Sequence, residues 1–334
     1  MFDRLVASFA FAILTATALV SGQGAHGFLA RPSAAAIRIL TWNVYRNTIF
    51  PTAGEDVDVD AATRPAQFAR VMRALRPDVV CLQEITVSVE RTTSLLNHVL
   101  PASDGRTWQA LASEDTVILS RFEIVGHDEG SLVALDRRRG HAIALLKGPS
   151  TDLYVVCAHF QSSSGAANAA LRREQARMIA TTIRDAKNGT DAIHIPARTP
   201  FIILGDFNAI PGDTGFVDDL VAGRSADGTI APLDWDRSAL TDARPRHNAS
   251  GTERYTWRND LEPFPLGVLD RIIYSDSVLT SVNQFVLDTT ALRQPTLRSA
   301  GLRAIDTMRD PQAGIHDHYP VVVDVVTRAG VRKP

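Results

Sequence analysis

Polar residues in this chain gather where apolar runs stop. Asn43 follows Leu40-Thr-Trp, Glu84 follows Val80-Cys-Leu-Gln, and His159 follows Val155-Val-Cys-Ala. Asp206 and Asn208 follow Ile202-Ile-Leu-Gly, Asp270 precedes Arg271-Ile-Ile-Tyr, and Asp317-His318 precedes Tyr319-Pro-Val-Val-Val. A lone Asp or Asn at a strand end is usually a turn residue. Here the same placement recurs along the whole chain, and strand ends on one side of a sheet converge in space. The set supplies carboxylates for a hard cation, two imidazoles for proton transfer, and two amides that can orient a phosphate. There is no Cys/His cluster with zinc spacing and no Gly-rich phosphate loop ending in Lys-Ser/Thr, so a zinc hydrolase or a P-loop enzyme does not fit.

The elements that must carry these groups follow from the hydrophobic pattern. Strands are predicted over Ile37–Trp42, Val79–Leu82, Thr116–Leu119, His141–Lys147, Leu153–Ala158, Phe201–Leu204, Arg271–Tyr274 and Tyr319–Val326. A helix is predicted between them, with Thr63 as N-cap and Pro65 in its first turn. Its stripe is Phe68, Val71, Met72 and Leu75, and Pro77 ends it. A second helix spans Ala166–Ala186 and is closed by Lys187-Asn-Gly. Many strands with few helices, and no regular βαβ alternation, predict two packed sheets with helices outside. Gly189–Thr199 and Val221–Asp236 read as surface insertions.

The chain has 334 residues, 45% of them hydrophobic, and a formal net charge of −2, so it can bury a core and carries no overall basic excess that announces a nucleic-acid partner. Residues 1–27 read as a signal peptide: one Arg, a run of roughly 16 apolar and small residues too short for a comfortable membrane span, then a small polar stretch. This predicts a secreted or periplasmic protein without a transmembrane segment in its mature form. Residues 28–36 are a linker, 37–327 the folded domain and 328–334 a C-terminal tail. The two cysteines, Cys81 and Cys157, each sit in an apolar strand and are read as small buried hydrophobes rather than a disulfide framework. Asp56, Asp58 and Asp60 lack the Gly and distal Glu of a calcium loop. The run Arg137-Arg-Arg reads as a solvated loop.

Thr41-Trp-Asn-Val, Leu82-Gln-Glu, Ala158-His-Phe, Gly205-Asp-Phe-Asn, Leu269-Asp-Arg-Ile-Ile and Asp317-His-Tyr-Pro-Val together resemble the ordered motifs of the endonuclease/exonuclease/phosphatase superfamily. That group takes in deoxyribonuclease I, exonuclease III-type enzymes, neutral sphingomyelinases and inositol-polyphosphate 5-phosphatases. The resemblance runs from residue 37 to about 326. It implies an α/β fold of the deoxyribonuclease I type, a four-layer α/β/β/α sandwich of two mixed sheets. It also implies Mg²⁺ (or Mn²⁺) held by Glu84 with Asn43 beside it and Asp317 as a further metal contact. Asp206 would orient or deprotonate the attacking water, and Asn208 would bind a phosphoryl oxygen. His318, positioned by Asp270, would act at the phosphate, and His159 would stabilise the oxyanion or protonate the leaving group.

Two departures stand out. His316 occupies a place where Ser or Thr is usual. The Tyr-Lys-Glu segment that supplies a carboxylate to the first His in the deoxyribonuclease branch is absent, leaving Glu114 or Asp115 as substitutes. The reading is then a phosphodiesterase acting on nucleic acid or a phospholipid head group, with no obligate protein partner. Its alternatives are a phosphomonoesterase for an inositol-phosphate-like substrate and an inactive relative that only binds phosphorylated ligands. Leu261-Glu-Pro-Phe-Pro-Leu is the segment that could dock on lipid, Trp257 is expected at the cleft rim, and Arg121 is either a phosphate contact or a structural ion-pair partner.

Overall fold

The computed structural model describes residues 27–328 except 53, 102–104, 106, 129–139 and 226. Apart from Gly27, the segment expected to be a signal peptide lies outside these residues, as do the Arg137-Arg-Arg run and nearly all of the C-terminal tail. In chain order the first half contains β1 (Ile37–Asn43), α1 (Arg64–Leu75), β2 (Val79–Gln83), α2 (Val89–Val99), β3 (Gln109–Ser113), β4 (Thr116–Ser120), β5 (Ile124–Asp128), β6 (Ala142–Leu146) and β7 (Leu153–His159). The second half contains α3 (Ala166–Asn188), β8 (Phe201–Asp206), α4 (Gly215–Ala222), β9 (Thr241–Asp242), β10 (Asp270–Tyr274), β11 (Leu279–Val286), α5 (Gln294–Ala300) and β12 (Val321–Thr327).

The strands form two six-stranded sheets, ordered β11-β12-β1-β2-β4-β3 and β5-β6-β7-β8-β10-β9. Each is mixed. In the first, β1 runs parallel to β2, and in the second, β7 runs parallel to β8; the other pairings are antiparallel. The inner faces meet through Ile37, Ile39, Val79 and Ile118 on one side and Val155, Ile202, Leu204 and Ile272 on the other. Helices α1 and α2 cover the first sheet, packing Phe68, Met72 and Leu96 on Leu40, Trp42 and Val80. Helices α3 and α4 cover the second, packing Ile179, Ile183 and Phe216 on Tyr154, Val156 and Ile203. The result is the expected four-layer sandwich. Strands covered on both faces must be apolar at consecutive positions, which is why they stood out as unbroken runs.

The predicted elements land where the pattern put them, with boundary changes of a few residues. The stripe of α1 is fully buried, and Arg76 caps that helix in the left-handed region before Pro77. Gly189 closes α3 at φ 72. The two expected insertions are better anchored than surface loops: Ile193, Ile195 and Leu233 are buried over the second sheet, and α4 runs into the start of the second segment. The polar Arg38 on β1 is also buried, held by Asp324 of β12 through Nε–Oδ1 and Nη2–Oδ2 contacts of 2.7 Å.

The cysteines require a correction. Cys81 on β2 and Cys157 on β7 are joined in a disulfide, with Cα atoms 5.6 Å apart. Taken alone, each cysteine in its apolar strand reads as a small apolar filler. The pairing comes from the two sheets facing each other, so that residues separated by 76 positions meet in the middle layer. No spacing rule carries that information. The side-chain amide of Gln83 lies on the bridge, 3.1 Å from the Cys81 Sγ, and also reaches the Thr41 hydroxyl.

Candidate active site

Strand direction explains why the polar groups converge. Asn43 and Glu84 leave the C-terminal ends of the parallel pair β1 and β2. His159 and Asp206 close the parallel pair β7 and β8, where they face each other in register. The antiparallel neighbours contribute their beginnings instead. Asp270 opens β10 opposite Asp206, and His318 precedes β12, whose Val321 pairs with Thr41. All eight residues singled out from the sequence therefore reach one end of the sandwich. Glu84, His159, Asp206, Asn208, Asp317 and His318 line a single cavity of about 250 Å³, with Asn43 and Asp270 buried beneath it.

Local backbone strain helps aim them. Glu84 has φ 64 and Asn208 φ 48, conformations that a non-glycine residue adopts at a cost of about 1–3 kcal/mol and that concentrate at functional sites. Gly205 stands at φ 142, and a Cβ there would come within 1.9 Å of the Ala158 carbonyl oxygen. Glycine is needed at this point for β8 to lie against β7 and present Asp206.

Asp206 is the centre of the site. Its Oδ1 accepts from the Asn208 N–H at 2.8 Å, and its Oδ2 accepts from Asn43 Nδ2 at 3.1 Å. Two imidazoles flank the same oxygen, with His159 Nε2 and His318 Nε2 each 3.6 Å from Asp206 Oδ2. That is too far for a hydrogen bond and close enough for strong electrostatic coupling. Each imidazole is held from behind by its own carboxylate: His318 Nδ1 by Asp270 Oδ2 at 2.9 Å, and His159 Nδ1 by Asp115 Oδ2 at 2.9 Å. Of the two substitutes open in the sequence, Asp115 is thus the partner of His159, placed there by the turn between β3 and β4.

Burial raises the pKa of Asp270, an effect that the neighbouring His318 only partly offsets. Burial alone would depress His318, but the carboxylates of Asp270 and Asp206 outweigh it and hold the imidazole well above its ordinary value. Asp206 is also buried, which acts to raise it, yet His318, His159 and the hydrogen bonds from Asn208 and Asn43 bring it below the ordinary carboxylate value. The centre therefore combines an ionised carboxylate with an imidazolium at neutral pH.

The donor set suits a hard divalent cation. Glu84 and Asp317 line the same cavity, and Asp317 is raised chiefly by burial, against the lowering influence of His318, Arg309 and the Trp257 hydrogen bond, with a smaller upward push from the Glu84 charge that a cation between the two carboxylates would reverse. Their oxygens are the hard ligands that Mg²⁺ prefers. Asn43 is turned so that its Oδ1 accepts from the Tyr45 N–H while its Nδ2 spans Glu84 Oε1 and Asp206 Oδ2, tying two carboxylates together. A tighter group, Asp206, Asp270 and His318, brings its donor atoms within 4.8 Å of one another. There His318 Nδ1 is already engaged by Asp270, as a general acid or base would be.

Features outside the eight residues complete the walls. Trp257 donates Nε1–H to Asp317 Oδ1 at 2.8 Å and stands beside His318, at the rim as expected. His316, the departure from the usual Ser or Thr, lines the cavity with its Nδ1 2.9 Å from Asp260 Oδ2 and its ring stacked on Tyr319. The Arg121 guanidinium lies over the Trp108 ring and is not among the residues that line the cavity.

A profile of the endonuclease/exonuclease/phosphatase family matches residues 40–292, which includes five of the six motifs. The chain belongs to this family. Solved structures agree in fold. The human Nocturnin catalytic domain with bound sulfate anion is 17% identical, covers 88% of this chain and 95% of its own, and superposes with a TM-score of 0.53. D. rerio TDP2 complexed with single strand DNA product is 17% identical over 87% of this chain and 99% of its own, with a TM-score of 0.53. ANGEL2, a 2′,3′-cyclic phosphatase in complex with adenosine-2′,3′-vanadate, is 14% identical over 89% of this chain and 97% of its own, again at 0.53. No curated protein matches the sequence. Among the described residues no helix is long and apolar enough to cross a membrane.

Proposed function

We propose that this protein is an exported, Mg²⁺-dependent phosphodiesterase that cleaves a phosphate ester of nucleic acid or of a phospholipid head group with activated water. The observation that carries the reading is the Asp206 carboxylate set between two imidazoles, each backed by its own carboxylate, beside the Glu84–Asp317 pair. A divalent ion held by Glu84 and Asp317 would supply charge neutralisation at the phosphoryl oxygen and leaving group.

The protein groups divide the remaining work. Ionised Asp206 orients the attacking water and takes up its proton. His318, kept cationic by Asp270, donates from Nε2 to a phosphoryl oxygen as negative charge builds. His159, steadied by Asp115, gives a proton to the departing alkoxide as the P–O bond breaks. Asn208, on the cavity wall, fixes the phosphate.

Support for a diester comes from the neighbours, one solved with a DNA product and one with a cyclic phosphate analogue. Support for a lipid headgroup comes from the exposed Leu261, Phe264 and Leu266 on the loop beside Trp257. Export is supported by the apolar N-terminus and by the Cys81–Cys157 bridge, since disulfides persist mainly in oxidising compartments.

The test is hydrolysis by mature protein of bis-p-nitrophenyl phosphate, p-nitrophenyl phosphate, plasmid DNA, sphingomyelin and an inositol polyphosphate, with Mg²⁺ or EDTA. Chelator-sensitive turnover lost in Glu84→Gln and His318→Ala is the expected result. Folded, Mg²⁺-loaded protein that turns over none of them would sink the catalytic reading in favour of a phosphoester-binding protein.

A further inference from the structure

Resting on the phosphoesterase reading, we propose that the cleft has a second lobe, built on Arg46 and Thr86, that grips a phosphate other than the one being cleaved. The cleft does not end at Glu84. On its far side lies a cavity of about 440 Å³ lined by Arg46, Asn47, Glu84, Thr86, Asp115 and His159. Glu84 and His159 also line the cavity that holds Asp206 and His318. A substrate seated at the reacting centre can therefore extend in either direction.

The lobe's polar groups are arranged to receive an anion. Asp115 is engaged with His159, and the two oxygens of Glu84 accept from Asn43 Nδ2 and from the Arg46 N–H. The exposed guanidinium of Arg46 is the permanently charged cation among the six lining residues, His159 being committed to the reacting centre. Its carbon stands 5.5 Å from the centre of the Tyr45 ring, which Arg309 also covers at 4.5 Å. An aromatic face supports the arm without neutralising it, and the planar fork of donors matches a phosphate.

Thr86 is prepared in a complementary way. Asn47 donates from Nδ2 to Thr86 Oγ1 at 2.7 Å and accepts the Thr86 N–H at 2.9 Å. The hydroxyl oxygen thus accepts from Asn47, which leaves its own proton to give to a ligand oxygen.

The backbone links this lobe to the reacting centre. Tyr45 at φ 56 and Arg46 at φ 62 are successive non-glycine residues in the left-handed region. The same bend delivers the Arg46 N–H to Glu84 Oε2 at 2.9 Å, so the root of the cationic arm and the principal carboxylate are fixed together. A simple monoester has no second phosphate to place here. A nucleic-acid strand offers the neighbouring phosphate, and an inositol polyphosphate offers another on its ring.

Binding and turnover test this separately. In a His318→Ala background with Mg²⁺, fluorescent octathymidylate is followed by anisotropy across a salt series, and inositol hexakisphosphate is titrated in a second arm. Arg46→Ala is expected to weaken one of them about tenfold. If the strand responds, its log–log salt slope should fall by about 0.7, the value for one phosphate contact on a single strand. Arg46→Lys should restore part of the loss and Thr86→Val should cost a few-fold. Arg298→Ala, an exposed cation on α5, should change nothing. The arm that responds names the source of the phosphate.

With active protein, Arg46→Ala should lower the kcat/KM ratio of TpTpT, or of the inositol polyphosphate, to bis-p-nitrophenyl phosphate. Binding of both probes within twofold of the parent, or no binding of either by the parent, overturns the lobe. If the parent hydrolyses none of the phosphoesters, the catalytic reading fails while the anisotropy comparison still decides the lobe.

Discussion

The two His–carboxylate pairs flanking Asp206 have the same distances and different surroundings. Each spans the sandwich: His318 reaches from the first sheet to Asp270 on the second, and His159 from the second to Asp115 on the first. In the first pair the carboxylate is sealed, its side chain 0% exposed, and the Asp270 N–H is anchored on the Thr256 hydroxyl. In the second, Asp115 sits on a hairpin turn with its side chain 16% exposed. Removing water strengthens the field of a fixed charge, so the first pair fixes the charge state of its imidazole. The second has geometry but a wetter carboxylate. The difference suggests a division of labour, with His318 as a standing cation at the phosphate and His159 as the group that moves a proton.

The largest effects should fall on the sealed pair. His318→Ala is predicted to lower kcat by about 10³, the upper end for loss of one preorganised donor to developing charge, and His159→Ala by about 10², the lower end for a general acid. Steady-state kinetics on one diester checks this, and equal losses would erase the proposed division. The carboxylates sharpen the same comparison. Asp270 raises the His318 pKa in the folded protein, so the cation persists at neutral pH and is lost as pH rises through that raised value. Asp270→Asn should therefore cost about 10²-fold and move the alkaline limb of the pH–rate profile downward. Asp115→Asn should cost about tenfold and leave that limb in place.

Beneath the first pair and the second alike lies the Cys81–Cys157 bridge, three residues before Glu84 and two before His159. Closing a loop of this length contributes about 4 kcal/mol. A Cys81→Ser/Cys157→Ser double variant should melt roughly 6 °C lower. Because the bridge ties the two sheets whose ends form both pairs, its activity should also fade before global unfolding. Coincident loss of activity and of far-UV signal would mean that the bridge holds only the core.

What the sequence revealed of this architecture follows from burial. The eight strands read from apolar runs are the eight interior ones. The four missed, β3, β5, β9 and β11, are the edges of the two sheets. Edge strands such as Gln109–Ser113 are partly exposed and mix polar with apolar residues, so they leave no run to find. The site was legible because interior strands deliver its residues at their ends. What stayed hidden depends on pairing across the sandwich: the disulfide, the choice of Asp115 over Glu114, the Asp260 partner of His316, and the lobe around Arg46. In each case the partner's identity is set by how two sheets or two loops face each other.

A smaller prediction probes the wetter pair from behind. His141, immediately before β6, is buried and accepts the backbone N–H of His159 on its Nδ1 at 3.3 Å. It must be neutral to do so, and burial first, then the nearby His159, lowers its pKa from 6.5 to about 3. The unfolded chain thus takes up a proton that the folded chain refuses. The contribution of His141 is fully present above about pH 6.5 and declines as pH falls toward 3, by up to ~1.4 kcal/mol per unit. Between pH 6.5 and 5 few carboxylates titrate, but His318, whose folded pKa is raised, contributes with the opposite sign, so the effect of His141 is read as the difference in slope between the parent and a His141 variant under chemical denaturation. His141→Gln offers an uncharged acceptor and should flatten the slope, at some cost in packing against Phe160. An unchanged slope would mean that His141 takes up its proton in the folded state, and that the His159 backbone is not held by a neutral imidazole.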